Sequence, residues 1–219
     1  VKLWCDTSTS IECTEIMEAF GGPQRCLDEV GNLIVPGYTA SKIRWLAKNR
    51  RSLYTEMDSI MLPHDYLNFV LTGVRCMEMG DASGTGFLNI RERSWSDRML
   101  RAIDPERDLS ECLPELHSEI TTIGTIRPEA ADRFGLPAGI PVATGGGDNM
   151  MGAIGTGNLS AGKITMSLGT SGTVYAHSDR PAIDTEGDIA AFCSSHGAWL
   201  PLLCTMNCTV TTELMRSLL

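Results

Sequence analysis

The sequence predicts an α/β fold on three observations. Amphipathic helical patterns with Gly/Pro-rich connections fill its first part, strand-like runs enter from Ile140 onward, and glycine-bounded turns stand among them at 144–147 and 169–172. With 219 residues, 42% of them hydrophobic and 21% charged, the chain can bury a sizeable core. That excludes a disordered, collagen-like or disulfide-scaffold protein. The 18 basic and 27 acidic side chains leave a net charge of −9, which makes nucleic acid and anionic membrane surfaces poor partners. No apolar run approaches the roughly 18 residues of a membrane span.

The elements follow in order. Thr9 and Glu12 have capping-box spacing, Cys13, Ile16, Met17 and Phe20 recur at helical period, and Gly21-Gly22-Pro23 ends this first helix. A second helix covers about 39–51, with Ile43, Leu46 and Ala47 on one face. A third runs over 64–71 and stops at Gly73; Trp95, Met99, Leu100 and Ile103 outline a fourth, and 128–134 is a short fifth. Ile140 to Ala143 reads as a strand that leads through Thr144-Gly145-Gly146-Gly147 into a small-residue helix from Asp148 to Gly155. Runs 164–168 and 173–176 flank Gly169-Thr170-Ser171-Gly172 as a hairpin, its glycines supplying the turn's φ freedom. A strand-like run at about 200–204 precedes a terminal helix with Val210, Leu214 and Leu218 on one face. A domain boundary fits at 156–160, where Gly155, Gly157 and Gly162 cluster, so residues 1–156 and 157–219 form two segments.

Eight cysteines, at 5, 13, 26, 76, 112, 193, 204 and 208, are scattered without a CxxC pair. Cys204 and Cys208 could share a helix face, but no histidine follows at zinc-finger spacing. Buried or half-buried thiols in a reducing cytosol are the expectation, with no metal site and no secretory leader pattern. The chain opens on Val1 rather than Met and closes at Leu219 within a helical pattern, so it is expected to be a piece of a longer protein.

The strongest chemical signal is Gly145-Gly146-Gly147-Asp148-Asn149. Three glycines permit close approach of a backbone or ligand, and the positive end of a helix favours a carboxylate. A carboxylate set beside a hydroxyl can take its proton; an Asp N-cap after a flexible turn is the competing reading. Gly169-Thr170-Ser171-Gly172 could offer donors to phosphate oxygens or be an ordinary hairpin turn. It is not a Walker A loop, since GxxxxGK[ST] does not occur. Asp81-Ala82-Ser83-Gly84-Thr85-Gly86 reads as a structural Asx-turn ahead of a phosphate or metal loop. In Pro63-His64-Asp65-Tyr66, Asp65 caps a helix and leaves His64 on the surface. Trp4-Cys5-Asp6 is a strand end whose indole serves either as a platform or as core. His196 after Ser194-Ser195 lacks the GxSxG elbow a hydrolase would need.

Taken in order, Trp4-Cys5-Asp6, Pro36 to Lys42, Leu62 to Tyr66, Leu71-Thr72-Gly73, Asp81 to Thr85, Gly145 to Asn149 and Ser167 to Gly172 resemble the motif series of the FGGY carbohydrate kinases. The resemblance implies an actin-like, RNase-H-like fold whose two domains flank an active-site cleft, incompletely covered here. Residues 1–156 would be the latter part of the sugar-binding domain and 157–219 the start of the nucleotide-binding domain. It implies ATP-dependent phosphorylation of a sugar hydroxyl, D-xylulose giving D-xylulose 5-phosphate; ribulose, glycerol or a non-catalytic sugar-binding role are the alternatives. Asp148 would be the general base, Trp4, Asp6 and Asn149 would line the sugar pocket, and Gly169, Thr170 and Ser171 would contact the ATP phosphates, with Mg2+ accompanying ATP. A homodimer is left open. Cys5 and Ser8 depart from the family's usual WNDGR, which opens the choice of sugar. The first phosphate loop, a ketose-holding Met-His-Gly segment and the adenosine motif do not occur, so this chain alone is expected to be inactive.

Overall fold

The computed structural model describes residues 2–218. Its first half is helical: α1 (Ser10–Phe20), α2 (Pro23–Glu29), α3 (Thr39–Asn49), α4 (Arg51–Thr55) and α5 (Pro63–Thr72) precede the short strand β1 (Cys76–Glu78) and the single turn α6 (Met79–Ala82). Then come β2 (Leu88–Asn89), β3 (Ser94–Trp95), α7 (Asp97–Ile103), β4 (Glu115–His117), β5 (Thr122–Thr125) and α8 (Pro128–Phe134). The chain continues through β6 (Pro141–Ala143), α9 (Asp148–Gly155), β7 (Ile164–Leu168), β8 (Gly172–Ala176), β9 (Leu202–Thr205) and α10 (Thr209–Leu218). β1 pairs parallel with β4, whereas β2–β3 and β5–β6 are antiparallel pairs. β7, β8 and β9 form an antiparallel three-stranded sheet, β7 and β8 in the predicted hairpin.

Local chemistry accounts for most element ends. Gly21 adopts φ +114° and its N–H donates to the carbonyls of Met17 and Glu18, closing α1, while Pro23 opens α2 at a position where a missing N–H costs nothing. Gly73 and Gly135 end α5 and α8 in the same left-handed way. The predicted capping box at Thr9 is not formed: its hydroxyl bonds to Ser41 Oγ at 2.9 Å, and Glu12 pairs with Lys48 at 3.1 Å. Both side chains are used between helices, and those tertiary partners win over the local cap. Trp95 lies in β3, not in the fourth helix, which begins only after Ser96 caps the N–H of Met99.

The largest core joins α1, α2, α3 and α7 through Ile16, Phe20, Cys26, Ile43, Met99 and Ile103. Removing each large apolar side chain from water contributes about 1.5–3 kcal/mol. Beside the Thr9–Ser41 bond, a further deeply set polar contact is Tyr54 Oη to Asp104 at 2.5 Å, and burial first, then this carboxylate, raises the phenol's pKa. A second core unites Met77, Met79, Leu88 and Ile90 with Ala191 and Cys193, more than 90 residues further on. Four polar ties secure that crossing. Asn32 bonds both the carbonyl and the N–H of Ala191, Ser83 Oγ accepts the N–H of Cys193, Trp199 Nε1 donates to Ile90, and Arg93 donates to Gly197 and Ala198. The stretch 190–200 is therefore packed on the helical half.

Exposure of the terminal helix and of the cysteines is as follows. Val210, Leu214 and Leu218 do share a face of α10, but they are 49%, 57% and 70% exposed, because no described element packs there. All eight cysteines are free, yet Cys5 and Cys204 are exposed rather than half-buried, since one sits in an open loop and the other on the uncovered side of β9. No helix among the described residues is long and apolar enough to cross a membrane.

Asn32→Ala would leave both backbone groups of Ala191 unpaired in the interior, each costing about 1–3 kcal/mol. The expected result is a lower urea midpoint together with new proteolytic cuts confined to residues 183–200; unchanged cleavage would show that the amide does not hold this segment.

Candidate active site around the triple glycine

Strand β6 delivers the chain to Thr144, which is fully buried and held on two sides. Asn68 of α5 donates to its carbonyl at 2.7 Å, and its N–H bonds to the carbonyl of Thr121 at 2.8 Å. Gly145 then takes φ +70° and turns the backbone into the helix. The three glycines lie against a cluster formed by His64, Glu78 and Asp81, and their lack of side chains is what admits the loop. A Cβ on Gly145 would rest 3.6 Å from the His64 ring; one on Gly146 would sit 2.5 Å from Ser195 Oγ and 3.1 Å from Glu78 Oε2; one on Gly147 would sit 3.3 Å from Asp81 Oδ1. A side chain at Gly146 would therefore have to displace Ser195, Met151 or the loop itself.

Beneath the loop, Glu78 is fully buried and accepts the N–H groups of Gly80 (2.7 Å) and Asp81 (3.0 Å) as the cap of α6. Burial pushes its carboxyl pKa up, partly offset by those two hydrogen bonds. His64 Nδ1 stands 2.6 Å from Asp81 Oδ2 and Nε2 3.1 Å from Asp65 Oδ1. Asp65 is also fully buried; burial raises its carboxyl to about 7 against the pull of His64 and of the Leu62 N–H it accepts. Burial works against a charged His64, but the Asp81 hydrogen bond and the charges of Asp65, Asp81 and Glu78 outweigh it, and the imidazole's pKa is raised. His64 is consequently not the surface residue the sequence predicts, although Asp65 does cap α5. The Asp81 segment is likewise a helical turn followed by a 3-10 turn over Ser83–Thr85, not an Asx-turn.

Asp148 is exposed at the first position of α9. Its Oδ1 accepts the backbone N–H (2.7 Å) and side-chain amide (3.0 Å) of Asn149, and Asn149 Oδ1 accepts the hydroxyl of Thr173 on β8 at 2.9 Å. This bond brings Asp148 and Asn149 beside the hairpin whose turn holds Gly169, Thr170 and Ser171. Thr173 is two residues, about 7 Å of strand, from Ser171. The start of α10 closes over the turn's far side: Cys208 N–H bonds to Thr170 O at 2.9 Å, and Thr209 donates to Gly169 O through both its N–H (3.0 Å) and hydroxyl (2.7 Å).

Trp4 and Asp6 sit apart from this group. They occupy a turn, not a strand end, and Trp4 is 59% exposed, so its indole is not core. Ser8 donates to Asp6 through its hydroxyl and backbone N–H, holding that carboxyl well below the usual carboxylate range, and Lys42 grips the Asp6 carbonyl at 2.7 Å. Among the described residues no hydrogen bond joins this turn to Asp148. The link is indirect: Gly37 backs onto the Trp4 carbonyl, Tyr38 meets Phe192 edge-on at 6.5 Å, and Phe192 packs on the Met150–Tyr175 cluster under α9. His196 stacks on His177 and bonds its ring at 3.1 Å, with no serine hydroxyl on either imidazole among the described residues. Glu78, Thr173 and Ser195 went unrecognised in the sequence. The one available signal was a carboxylate inside the apolar run Cys76-Met77-Glu78-Met79.

With that geometry, the chain belongs to the FGGY family of carbohydrate kinases: the profile of the family's N-terminal domain matches residues 1–155. It is 47% identical over 218 residues to the xylulose kinase of Haemophilus influenzae, covering 100% of this chain and 44% of that protein. Against the xylulose kinase of Escherichia coli it is 40% identical over 191 residues, covering 87% and 38%. A solved structure, a xyloylose kinase from Brucella ovis, matches with TM-score 0.86 at 30% identity over 99% of this chain and 43% of the other. These likenesses bear out the α/β, actin-like fold class. The chain spans under half the length of the curated relatives it matches.

Gly146→Ala must displace Ser195, Met151 or the loop itself, a strain of about 1–3 kcal/mol. Gly155→Ala, where nothing lies within 4 Å of the added carbon, should be neutral or stabilise by up to about 1 kcal/mol. Equal melting shifts for the two would contradict the close packing of the loop.

Proposed function

We propose that the full-length protein phosphorylates a sugar with ATP, D-xylulose giving D-xylulose 5-phosphate, and that Asp148 is its general base. The observation that carries this reading is the exposed Asp148 carboxylate, fixed by Asn149 beside a glycine-bounded turn, in a chain 47% identical to a xylulose kinase. Asp148 takes the proton of the sugar's terminal hydroxyl as that oxygen bonds to the γ-phosphorus. The bond from phosphorus to the bridging β–γ oxygen breaks, and ADP leaves with the electron pair. Such a transfer asks the protein for positioning and charge stabilisation more than for covalent help. Mg2+ enters as part of the ATP complex.

Trp4 offers an apolar face to the sugar ring or chain, and Asp6, ionised through its Ser8 contacts, accepts hydroxyl hydrogens. Asn149 orients the base and the adjacent hydroxyl. Gly169, Thr170 and Ser171 face the phosphates with donors from an exposed turn. In this reading 1–156 belongs to the sugar-binding domain and 157–219 begins the nucleotide-binding domain. The free thiols fit a reducing cytosol.

Asp148→Asn in the full-length protein should lower kcat by about 10²–10⁴-fold, the usual worth of general-base catalysis, with the KM for D-xylulose within a few-fold of wild type. A coupled ADP-release assay across D-xylulose, ribulose and glycerol checks both the base and the substrate. Retained kcat in the variant would reject the role of Asp148.

A further inference from the structure

The cluster under the triple glycine contains one cationic group, and its position is unusual. His64 reaches Asp81 through Nδ1 (2.6 Å) and Asp65 through Nε2 (3.1 Å), while its ring forms the surface on which Gly145 lies. Asp81 in turn backs Gly147, and Glu78 backs Gly146. Every glycine of the loop therefore rests on a member of one hydrogen-bonded and ion-paired group drawn from α5, β1 and α6. The charged groups facing His64 are Asp65 from its own helix, Asp81 from α6 and Glu78 from the end of β1.

We propose that protonated His64 is a positioning residue for Asp148: as an imidazolium it ties Asp81 to Asp65 beneath Gly145–Gly147, and losing its proton loosens the loop that carries the base. Only the Asp81 contact is a hydrogen bond, Asp65 being held by charge at 3.1 Å, so a neutral imidazole keeps at most the Asp81 bond and loses its attraction for Asp65. Asp65 and Asp81, with no positive charge between them, then repel each other and Glu78 in a poorly solvated space, where unpaired charge is costly. The triple-glycine backbone above has no side chains of its own to brace it. The raised pKa of His64 sets the sign. The imidazolium persists below that raised value and the tie is lost as pH rises through it; on the acid side Asp65, raised to about 7, takes a proton of its own and weakens its half of the tie. The proposal rests on Asp148 being the base only for its kinetic consequence.

The test uses the full-length protein, with kcat at saturating D-xylulose and ATP from pH 6 to 10, and hydrogen–deuterium exchange of residues 144–150 corrected for intrinsic rates. In the wild type, kcat and loop protection should fall together on the alkaline side. His64→Lys, which keeps a cation to far higher pH, should move both limbs upward by more than one pH unit. His64→Gln should abolish both limbs and lower kcat about tenfold throughout, within the up to about 10²-fold that a misplaced reacting group costs, while KM for the sugar stays within twofold. Should His64→Gln fail to fold, the wild-type and lysine profiles alone decide. Loop protection that ignores pH, or limbs that His64→Lys leaves in place, overturn the proposal. Protection that follows His64 while kcat does not would support the tie and reject Asp148 as base.

Discussion

The close approach of Gly145–Gly147 to a buried acidic cluster is the constraint on which the site depends. Gly146 and Gly147 lie where side chains would press on Ser195, Glu78 and Asp81, and Gly145 rests in ordinary contact on the His64 ring, so the loop's path is set by contact rather than by its own preferences. Glycine is the residue with the greatest conformational freedom to lose, and three in a row are unstable as a free segment. Here the loss is offset at both ends, by Asn68 and Thr121 on Thr144 and by the start of α9. The cluster itself is held by secondary structure: Glu78 is at once the buried acid under Gly146 and the cap of α6. Truncating it to alanine would withdraw the acceptors of two N–H groups and a wall from the loop.

That arrangement explains why the stretch 190–200 crosses back onto the helical half. Ser195 reaches the underside of Gly146 only because Asn32, Ser83 and Ile90 hold its neighbours Ala191, Cys193 and Trp199. The residues from α1 to α7 form the large apolar core, but their contribution to the site is this anchorage. Packing stability and site geometry thus meet in a few buried polar ties rather than in direct contact between core and Asp148.

Helices with strong punctuation were legible before any coordinates. Gly21, Gly73 and Pro128 mark ends by backbone chemistry that tertiary contacts do not override, and the hairpin at 164–176 follows from its alternation and glycines. The short elements β1, β2, β3 and β4 were not legible, because two or three residues carry no period, and the partners of β1 and β4, such as Cys76 with Glu115, lie far apart in sequence. For the site, Asp148 and its glycines stood out locally. His64 did not: from sequence it is one residue of a helix start, and its role comes from Asp81, seventeen residues away, and from Gly145, which folds over it. Thr9 and Glu12 show the opposite error, a local pattern whose side chains found better partners in Ser41 and Lys48.

Asp148 is constrained from two directions that differ in kind. Below, the loop is fitted to charged groups at fixed distance, and its register cannot shift without a clash at Gly146. Beside it, Asn149 bonds Asp148 with its amide nitrogen and Thr173 with its amide oxygen, so one planar group spans the carboxylate and the hairpin. An amide is suited to this because it donates and accepts at once; an aspartate there could accept from Thr173 but would repel Asp148. A movement of β8 that broke the Thr173 contact would free the Asn149 side chain while leaving its backbone N–H on Asp148. The hairpin can therefore alter the orientation of the carboxylate without displacing the helix that carries it, whereas the acidic cluster governs where that helix begins.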